Sequence, residues 1–223
     1  MPLQKDLERS VNRIFSSFSS SSVAIPSSKG TLYELYLFLI SYQTIQGLNN
    51  TTRIVSPGGF FKFRSSPGVI KNSQFTYITF TKNGITYELR NGIEVNGYNM
   101  YHEIDIAIFS NRQTNNSRPN KSNLLFSVEC KNHAKISSLK GEVRKYLGCI
   151  TDLASGNHNG NAGCLHCGIG IEPVFATPLN VLTNHDYYNY LINYGLNPKF
   201  SLKPNSNGET RYIQDLTNFY NQL

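Results

Sequence analysis

Glu129 and Lys131 place an acid and a base at the end of an apolar run, residues 124–128. On an extended chain, residues two positions apart project from the same face, so Glu129 and Lys131 point together while Cys130 points away. Asp105 lies within a second apolar run, HEIDIAIF. If the two runs form neighbouring strands, the carboxylates of Asp105 and Glu129 come within reach of one cation.

Two carboxylates and a lysine in this arrangement are suited to the hydrolysis of a phosphodiester. A divalent cation polarises the scissile phosphate and lowers the pKa of an attacking water, and carboxylates bind such a hard cation. We therefore predict Mg²⁺ as the cofactor, with Mn²⁺ as a substitute, and Asp105 and Glu129 as ligands. Lys131 is predicted to orient the water or to stabilise the charge that builds on phosphorus. Glu103 shares the face of Asp105 and is a reserve ligand.

An acid and a lysine two residues apart also occur by chance, and the ordinary interpretation is an ion pair at the surface. The context favours chemistry: Asp105 lies among isoleucines, a polar loop (NRQTNNSRPNKS) separates the two runs, and a basic segment follows Lys131. His102 and His133 are interpreted as ordinary polar residues near the site.

Hydrophobic periodicity predicts the elements that would position these residues. Residues 31–45 are apolar nearly all round and predict a buried helix whose only charge is Glu34. Period-two patterns over residues 53–109 predict an antiparallel meander with turns at TKNG and at Asn91-Gly92. A helix over residues 139–153, a strand in IGIEPVFAT and two helices near HDYYNYLINYG and YIQDLTNFYNQL complete the predicted order.

The N-terminal residues predict a separate amphipathic helix. Its apolar positions repeat at helical spacing: Leu3, Leu7, Val11, Ile14, Phe15 and Phe18. A serine-rich stretch then predicts a linker, so we divide the chain into a helical arm with linker, residues 1–28, and a main domain, residues 29–223. The apolar stripe is too long for a free arm, and we expect it to pack on the domain or on a second subunit.

The composition favours a polyanionic partner, with 21 Lys and Arg against 14 Asp and Glu and a net charge of +7. Residues 35–87 contain no carboxylate, and a second basic group follows the lysine of the candidate site. The predicted nucleic-acid contacts are Arg53, Lys62, Arg64, Lys140, Arg144 and Lys145. The alternative is a basic surface that only keeps the protein in solution. Neither a spanning helix nor a secretory signal is predicted, so the expected location is cytoplasmic.

Cys164 and Cys167 form a C-x-x-C pair, with His158 and His166 nearby. A structural zinc site normally takes its four ligands from two separated pairs, and the second pair is missing here. We therefore favour a glycine-rich loop with free thiols over a zinc site.

The chain resembles the PD-(D/E)xK nuclease superfamily over residues 31–177. The resemblance identifies Asp105 with the first acid of the motif, Glu129 with the second and Lys131 with its lysine. Glu34 matches the acid that some members carry on the first helix, which implies a third metal ligand. Ile104 stands where the name of the motif has proline.

The resemblance implies an α/β fold with a restriction-endonuclease-like core: a central mixed sheet flanked by helices in the order αβββαβ, with an added N-terminal helix and C-terminal helices. Glu142 and Tyr146 are similar to a Gln-x-x-x-Tyr element of some members, with Glu in place of Gln. The expected activity is metal-dependent DNA cleavage by a homodimer in restriction or phage defence, without a small-molecule cofactor. The alternatives are a Holliday-junction or other structure-specific nuclease and a binding module that does not cut.

Overall fold

A seven-stranded mixed sheet forms the centre of the molecule, and helices cover it. The computed structural model describes residues 2–17, 26–154, 171–181 and 185–223. The helices are α1 (Pro2–Ser16), α2 (Lys29–Leu48), α3 (Leu139–Ala154), α4 (Asp186–Asn193) and α5 (Asn207–Gln222). The strands are β1 (Arg53–Val55), β2 (Tyr77–Lys82), β3 (Ile85–Asn96), β4 (Tyr101–Ser110), β5 (Leu124–Cys130), β6 (Glu172–Ala176) and β7 (Asn197–Lys199).

The strands lie in the sheet in the order in which they occur along the chain. Strands β1 to β5 pair antiparallel, whereas β5, β6 and β7 pair parallel. Parallel neighbours need a crossover connection, and α3 lies between β5 and β6 in the chain. The predicted α/β class with a mixed sheet flanked by helices is confirmed.

Two hydrophobic clusters pack on the sheet, and successive residues of β6 belong to one cluster and the other in turn. Val174 and Ala176 belong to a cluster with α1, α2 and α5, whereas Phe175 belongs to a cluster with α3 and α4. This is the period of two that side chains of a strand with both faces covered must follow. None of the helices in the described ranges is long and apolar enough to span a bilayer.

Helix α1 packs against α2. Leu7, Val11, Ile14 and Phe15 are each at most 2% exposed, and the Phe15 ring meets the Phe61 ring edge to face at a centroid distance of 5.1 Å. The apolar stripe therefore takes the first of the two expected placements, on the domain. Phe18 lies outside the described residues.

The turn predicted at Asn91-Gly92 is wrong, because β3 continues through both residues. Gly92 has φ +59°, and a Cβ there would lie 2.9 Å from Cδ of Arg64, whose side chain crosses the strand. Nη1 of Arg64 donates to the Gly92 carbonyl at 3.0 Å, and Nδ2 of Asn91 donates to the Arg64 carbonyl at 2.8 Å. The glycine thus allows a close approach within a strand, and the hairpin turn lies farther on, where Gly97 N donates to Met100 O.

Candidate active site

Neighbouring strands β4 and β5 carry Asp105 and Glu129. The two strands pair with Ile106 opposite Val128 and Ala107 opposite Ser127. Continuing this register by one residue sets Asp105 opposite Glu129, and directly opposite residues of an antiparallel pair share one face of the sheet. The predicted pairing of the two apolar runs is therefore confirmed.

The ammonium of Lys131 contacts the carboxylates of both Asp105 and Glu129. Its Nζ lies 2.7 Å from Oε1 of Glu129 and 3.6 Å from Oδ2 of Asp105. The backbone N–H of Cys130 donates to the same Asp105 oxygen at 2.7 Å. This amide contact could not be predicted from side-chain types, because every residue except proline carries the same donor.

Burial and mutual repulsion disfavour the ionised carboxylates. Burial, with the charge of Asp105 added, raises the pKa of Glu34 to about 7 and that of Glu129 to about 8. Burial also raises the pKa of Asp105, although Lys131 and the Cys130 amide act in the opposite direction. The pKa of Glu103 is raised by burial and by the charge of Asp105. Four carboxyl groups from α2, β4 and β5 therefore share one electrostatic environment.

Lys131 is the cation of this cluster and stays protonated. Burial acts to lower the pKa of its ammonium, but the carboxylates of Glu129 and Asp105 outweigh that effect and raise the pKa. Among the residues that the structure describes, the ammonium of Lys131 is the cation that acts on the carboxyl groups of Glu34, Glu103, Asp105 and Glu129. Within that part of the chain, the site therefore has more carboxyl groups than positive charges.

The donor set fits a hard divalent cation. Across the described ranges, no three His, Cys, Asp or Glu side chains are already grouped closely enough to hold a metal ion. The ammonium of Lys131 lies close to both Asp105 and Glu129, where it provides the positive charge that a cation would otherwise bring. Carboxylate oxygens are the ligands that Mg²⁺ and Mn²⁺ prefer. An added cation would favour the ionised carboxylates, whose pKa values are raised by burial first and by mutual repulsion second.

Helix α3 is attached to β5 next to the cluster. The hydroxyl of Tyr146 lies 3.0 Å from Oγ of Ser127 and donates to the Ser127 carbonyl at 3.2 Å. The charge of Glu142, one turn before Tyr146 on α3, adds to the rise in the pKa of Asp105. Both residues of the Glu-x-x-x-Tyr pattern thus act near the carboxylates, Tyr146 through packing and Glu142 through charge.

The predicted nucleic-acid contacts differ in their exposure. Arg53, Lys62, Lys140, Arg144 and Lys145 are all exposed. Arg64 is only 3% exposed, and its guanidinium lies 4.4 Å from the centroid of the Phe75 ring. Its side chain donates to interior carbonyls, so we remove Arg64 from the predicted nucleic-acid-binding set.

The structure describes only some of the cysteines and histidines named in the sequence analysis. Cys130 and Cys149 are free thiols, whereas Cys164, Cys167 and the histidines between residues 157 and 167 lie outside the described residues. His102 Nε2 lies 2.8 Å from Oδ2 of Asp152 on α3, in an ordinary structural contact.

No family model, curated protein or solved structure matches this chain. The functional argument therefore depends on the geometry and charge of the site.

Proposed function

We propose that this protein is a metal-dependent DNA endonuclease of the PD-(D/E)xK type, acting in restriction or phage defence. One observation carries the proposal: Lys131 contacts the carboxylates of Asp105 and Glu129, which lie on neighbouring strands, and Glu34 of α2 acts on the same cluster. The order of α2, antiparallel strands, α3 and parallel β6 is compatible with the core that this class uses.

In the proposed mechanism, Asp105, Glu129 and Glu34 would hold Mg²⁺. The cation, when bound, supplies Lewis acidity and a water of lowered pKa. Because the pKa of Lys131 is raised, its ammonium acts as a hydrogen-bond donor to a phosphate oxygen or to the attacking water, and not as the base. The Cys130 amide holds the Asp105 carboxylate in a fixed orientation.

The positive charge of the protein surface favours a polyanionic substrate. The exposed lysines and arginines at positions 53, 62, 140, 144 and 145 favour contacts to a phosphate backbone. A homodimer would supply one site for each strand of a duplex. A homodimer is therefore part of the proposal, and sedimentation equilibrium measures the oligomeric state.

Nicking of supercoiled plasmid in Mg²⁺ tests the proposal. Lys131→Met keeps the apolar stem of the side chain and removes the charge. We expect cleavage to fall by about 10²-fold or more, as for other electrostatic stabilisers, with DNA affinity nearly unchanged. Lys135→Met, at an exposed lysine of the following loop, is the matched control and should cleave normally.

Removal of the ammonium leaves two buried carboxyl groups without their cation, so Lys131→Met can also lose stability. Circular dichroism monitors folding, and Glu129→Gln, which retains an oxygen to accept from Lys131, is the second variant. It should also abolish cleavage. Full cleavage by either folded variant contradicts the proposal. A wild-type protein that binds DNA but never cuts in Mg²⁺ or Mn²⁺ would instead be the non-cleaving module.

A further inference from the structure

Exposed apolar side chains are concentrated at the β3–β4 hairpin turn. Tyr98 is 65% exposed, Met100 62% and Tyr101 57%, so three of the eight large exposed hydrophobic residues in the described ranges lie within four positions. Scattered exposed hydrophobic residues are normal, but such a concentration indicates a surface with a partner. We call Tyr98, Tyr101, Arg118 and Lys121 the tyrosine patch.

Each tyrosine of the patch has a basic neighbour. The Arg118 guanidinium lies 4.1 Å from the centroid of the Tyr101 ring, and Nζ of Lys121 lies 5.4 Å from that of the Tyr98 ring. The basic loop is joined to the hairpin, because Asn96 N donates to the Pro119 carbonyl at 2.9 Å. Arg118 covers one face of the Tyr101 ring. Tyr101 is nevertheless 57% exposed, so other parts of the residue are accessible to solvent.

The turn that presents the tyrosines is held by α3. The carboxylate of Asp152 accepts hydrogen bonds from the backbone N–H of Asn99 at 3.0 Å and from its side-chain Nδ2 at 2.7 Å. The same carboxylate contacts His102 at 2.8 Å, and the Tyr98 N–H donates to the Asp152 carbonyl. Because the backbone is fixed beforehand, binding at the rings costs little conformational entropy.

The tyrosine patch and the candidate active site lie along one strand. Tyr101 and Asp105 both belong to β4, where the regular alternation of faces is interrupted: Ile104 packs with the cluster of α3 and α4, whereas Ile106 packs with the cluster of α1, α2 and α5. Arg118 also pairs with Glu94 at 2.7 Å, and Glu94 lies opposite Glu103 in the sheet. Four residues of a strand span about 13 Å. That distance corresponds to about four stacked nucleotides at roughly 3.4 Å each.

We infer that the tyrosine patch stacks unpaired bases of a nucleic acid strand that leads to Asp105. Aromatic rings stack on any exposed base, and nearby arginine and lysine side chains attract its phosphates. Bases within a continuous duplex have their faces covered by their neighbours, so the rings select a strand that is single or splayed. The inference rests on the proposed function, which supplies DNA as the polymer. It narrows the substrate to DNA with unpaired nucleotides beside the cleavage point.

Fluorescence anisotropy tests the inference. The measurement is made in EDTA, which removes the divalent cation, so that the DNA is bound but not cut. The probes are a labelled mixed-sequence single strand and the blunt duplex of the same sequence. Replacement of both rings in Tyr98→Ala/Tyr101→Ala should weaken single-strand binding by on the order of tenfold or more. Duplex affinity should change much less. Tyr98→Phe/Tyr101→Phe keeps the rings and should bind as the wild type does.

Tyr194→Ala is the matched control, because Tyr194 is an exposed tyrosine at the end of α4 and its ring packs against that of Tyr190 in a tilted arrangement, at a centroid distance of 4.8 Å. Unchanged single-strand affinity in the double alanine variant overturns the inference, and so does an equal loss on both probes. Loss of self-association in sedimentation without a loss of single-strand affinity would also overturn it, since the patch would then be a protein contact.

The result is separable from the proposed function. If the rings govern single-strand binding but no DNA is cut in Mg²⁺, the inference stands and the endonuclease proposal fails. If DNA is cut and the double alanine variant still binds the single strand normally, the inference alone fails.

Discussion

Asp105 contributes both a charge and a hydrogen-bond acceptor. Its carboxylate is buried, accepts from the Cys130 N–H at 2.7 Å and lies 3.6 Å from the ammonium of Lys131. The charge belongs to the proposed chemistry, whereas the acceptor satisfies a buried backbone donor. Two substitutions can therefore separate function from stability at one position.

Asp105→Asn and Asp105→Ala should differ in stability but not in activity. Both remove the charge and should abolish plasmid nicking. Asparagine retains an oxygen for the Cys130 amide, whereas alanine leaves that buried N–H unpaired, at a cost of about 1–3 kcal/mol. Urea unfolding should thus rank alanine below asparagine. Equal stabilities would contradict the importance of this hydrogen bond, and residual nicking by either variant would contradict the site.

At the scale of elements, hydrogen bonds from the β3–β4 turn to Asp152 connect that turn to α3. Gly97 lies against this connection: a Cβ there would be 2.2 Å from Oδ2 of Asp152 and 2.7 Å from the Met100 carbonyl. Gly148, on α3 itself, has open space around its Cβ position. The two glycines therefore form a matched pair, one that is required by close approach and one that is not.

Gly97→Ala should destabilise the protein, while Gly148→Ala should stabilise it. Forcing a methyl group against the Asp152 carboxylate and a carbonyl should cost about 1–3 kcal/mol or more. Alanine in the interior of α3 should gain roughly 0.5–1 kcal/mol over glycine. Thermal unfolding measures both, and a Gly97→Ala protein as stable as the wild type would show that the turn is free to move away from α3.

The Asp152 contacts also predict a pH dependence of stability. Burial acts to raise the pKa of the Asp152 carboxyl, but hydrogen bonds from His102, Asn99 and Met100 lower it to about 2. A carboxyl whose pKa is lower in the folded than in the unfolded state stabilises the fold above its unfolded pKa. That contribution is lost as the pH falls through the folded pKa.

Asp152→Asn should therefore flatten the pH dependence of unfolding between about pH 4 and pH 2. The wild-type melting temperature should fall across this interval more than that of the variant, which should already be lower at pH 7. Asp6→Asn removes an exposed carboxylate from α1 and is the control for the loss of one acidic group. Parallel curves for wild type and Asp152→Asn would contradict the assignment.

At the scale of the whole molecule, positive charge is the dominant feature. The net charge is +7, and in the acidic cluster Asp105 is buried and Glu34 and Glu129 are half-buried, while the lysines and arginines at positions 140, 144 and 145 of the α3 region are exposed. A polyanion would meet the basic surface first and bring its phosphates to the acidic site.

DNA affinity should accordingly fall steeply as salt rises. Each phosphate contact contributes about 0.9 to the slope of log affinity against log salt for duplex DNA. Lys140→Gln/Arg144→Gln should reduce that slope by about two if both residues contact phosphate. Lys5→Gln, at an exposed lysine of α1, should leave it unchanged. An affinity that does not depend on salt would exclude the predicted phosphate contacts.

Local patterns in the chain were enough to predict most elements. Helices α2, α3 and α5 and strands β4 and β5 lie where the hydrophobic periodicity places them, because burial of one face imposes its period on nearby residues. The convergence of Asp105, Glu129 and Lys131 followed from the same reasoning. Two neighbouring apolar strands, one with an acid in its middle and the other with an acid near its end, leave few arrangements.

Features that depend on residues distant in sequence required the tertiary structure. The Asn91-Gly92 pair is typical of a tight turn, but Arg64, from an earlier segment, occupies the space beside Gly92 and the strand continues. The same contact buries Arg64, which its charge had placed at the surface. The pairing of Tyr101 with Arg118 arises because the loop before β5 folds back onto the β3–β4 hairpin. Such contacts are made across long chain separations, so no local period or composition encodes them.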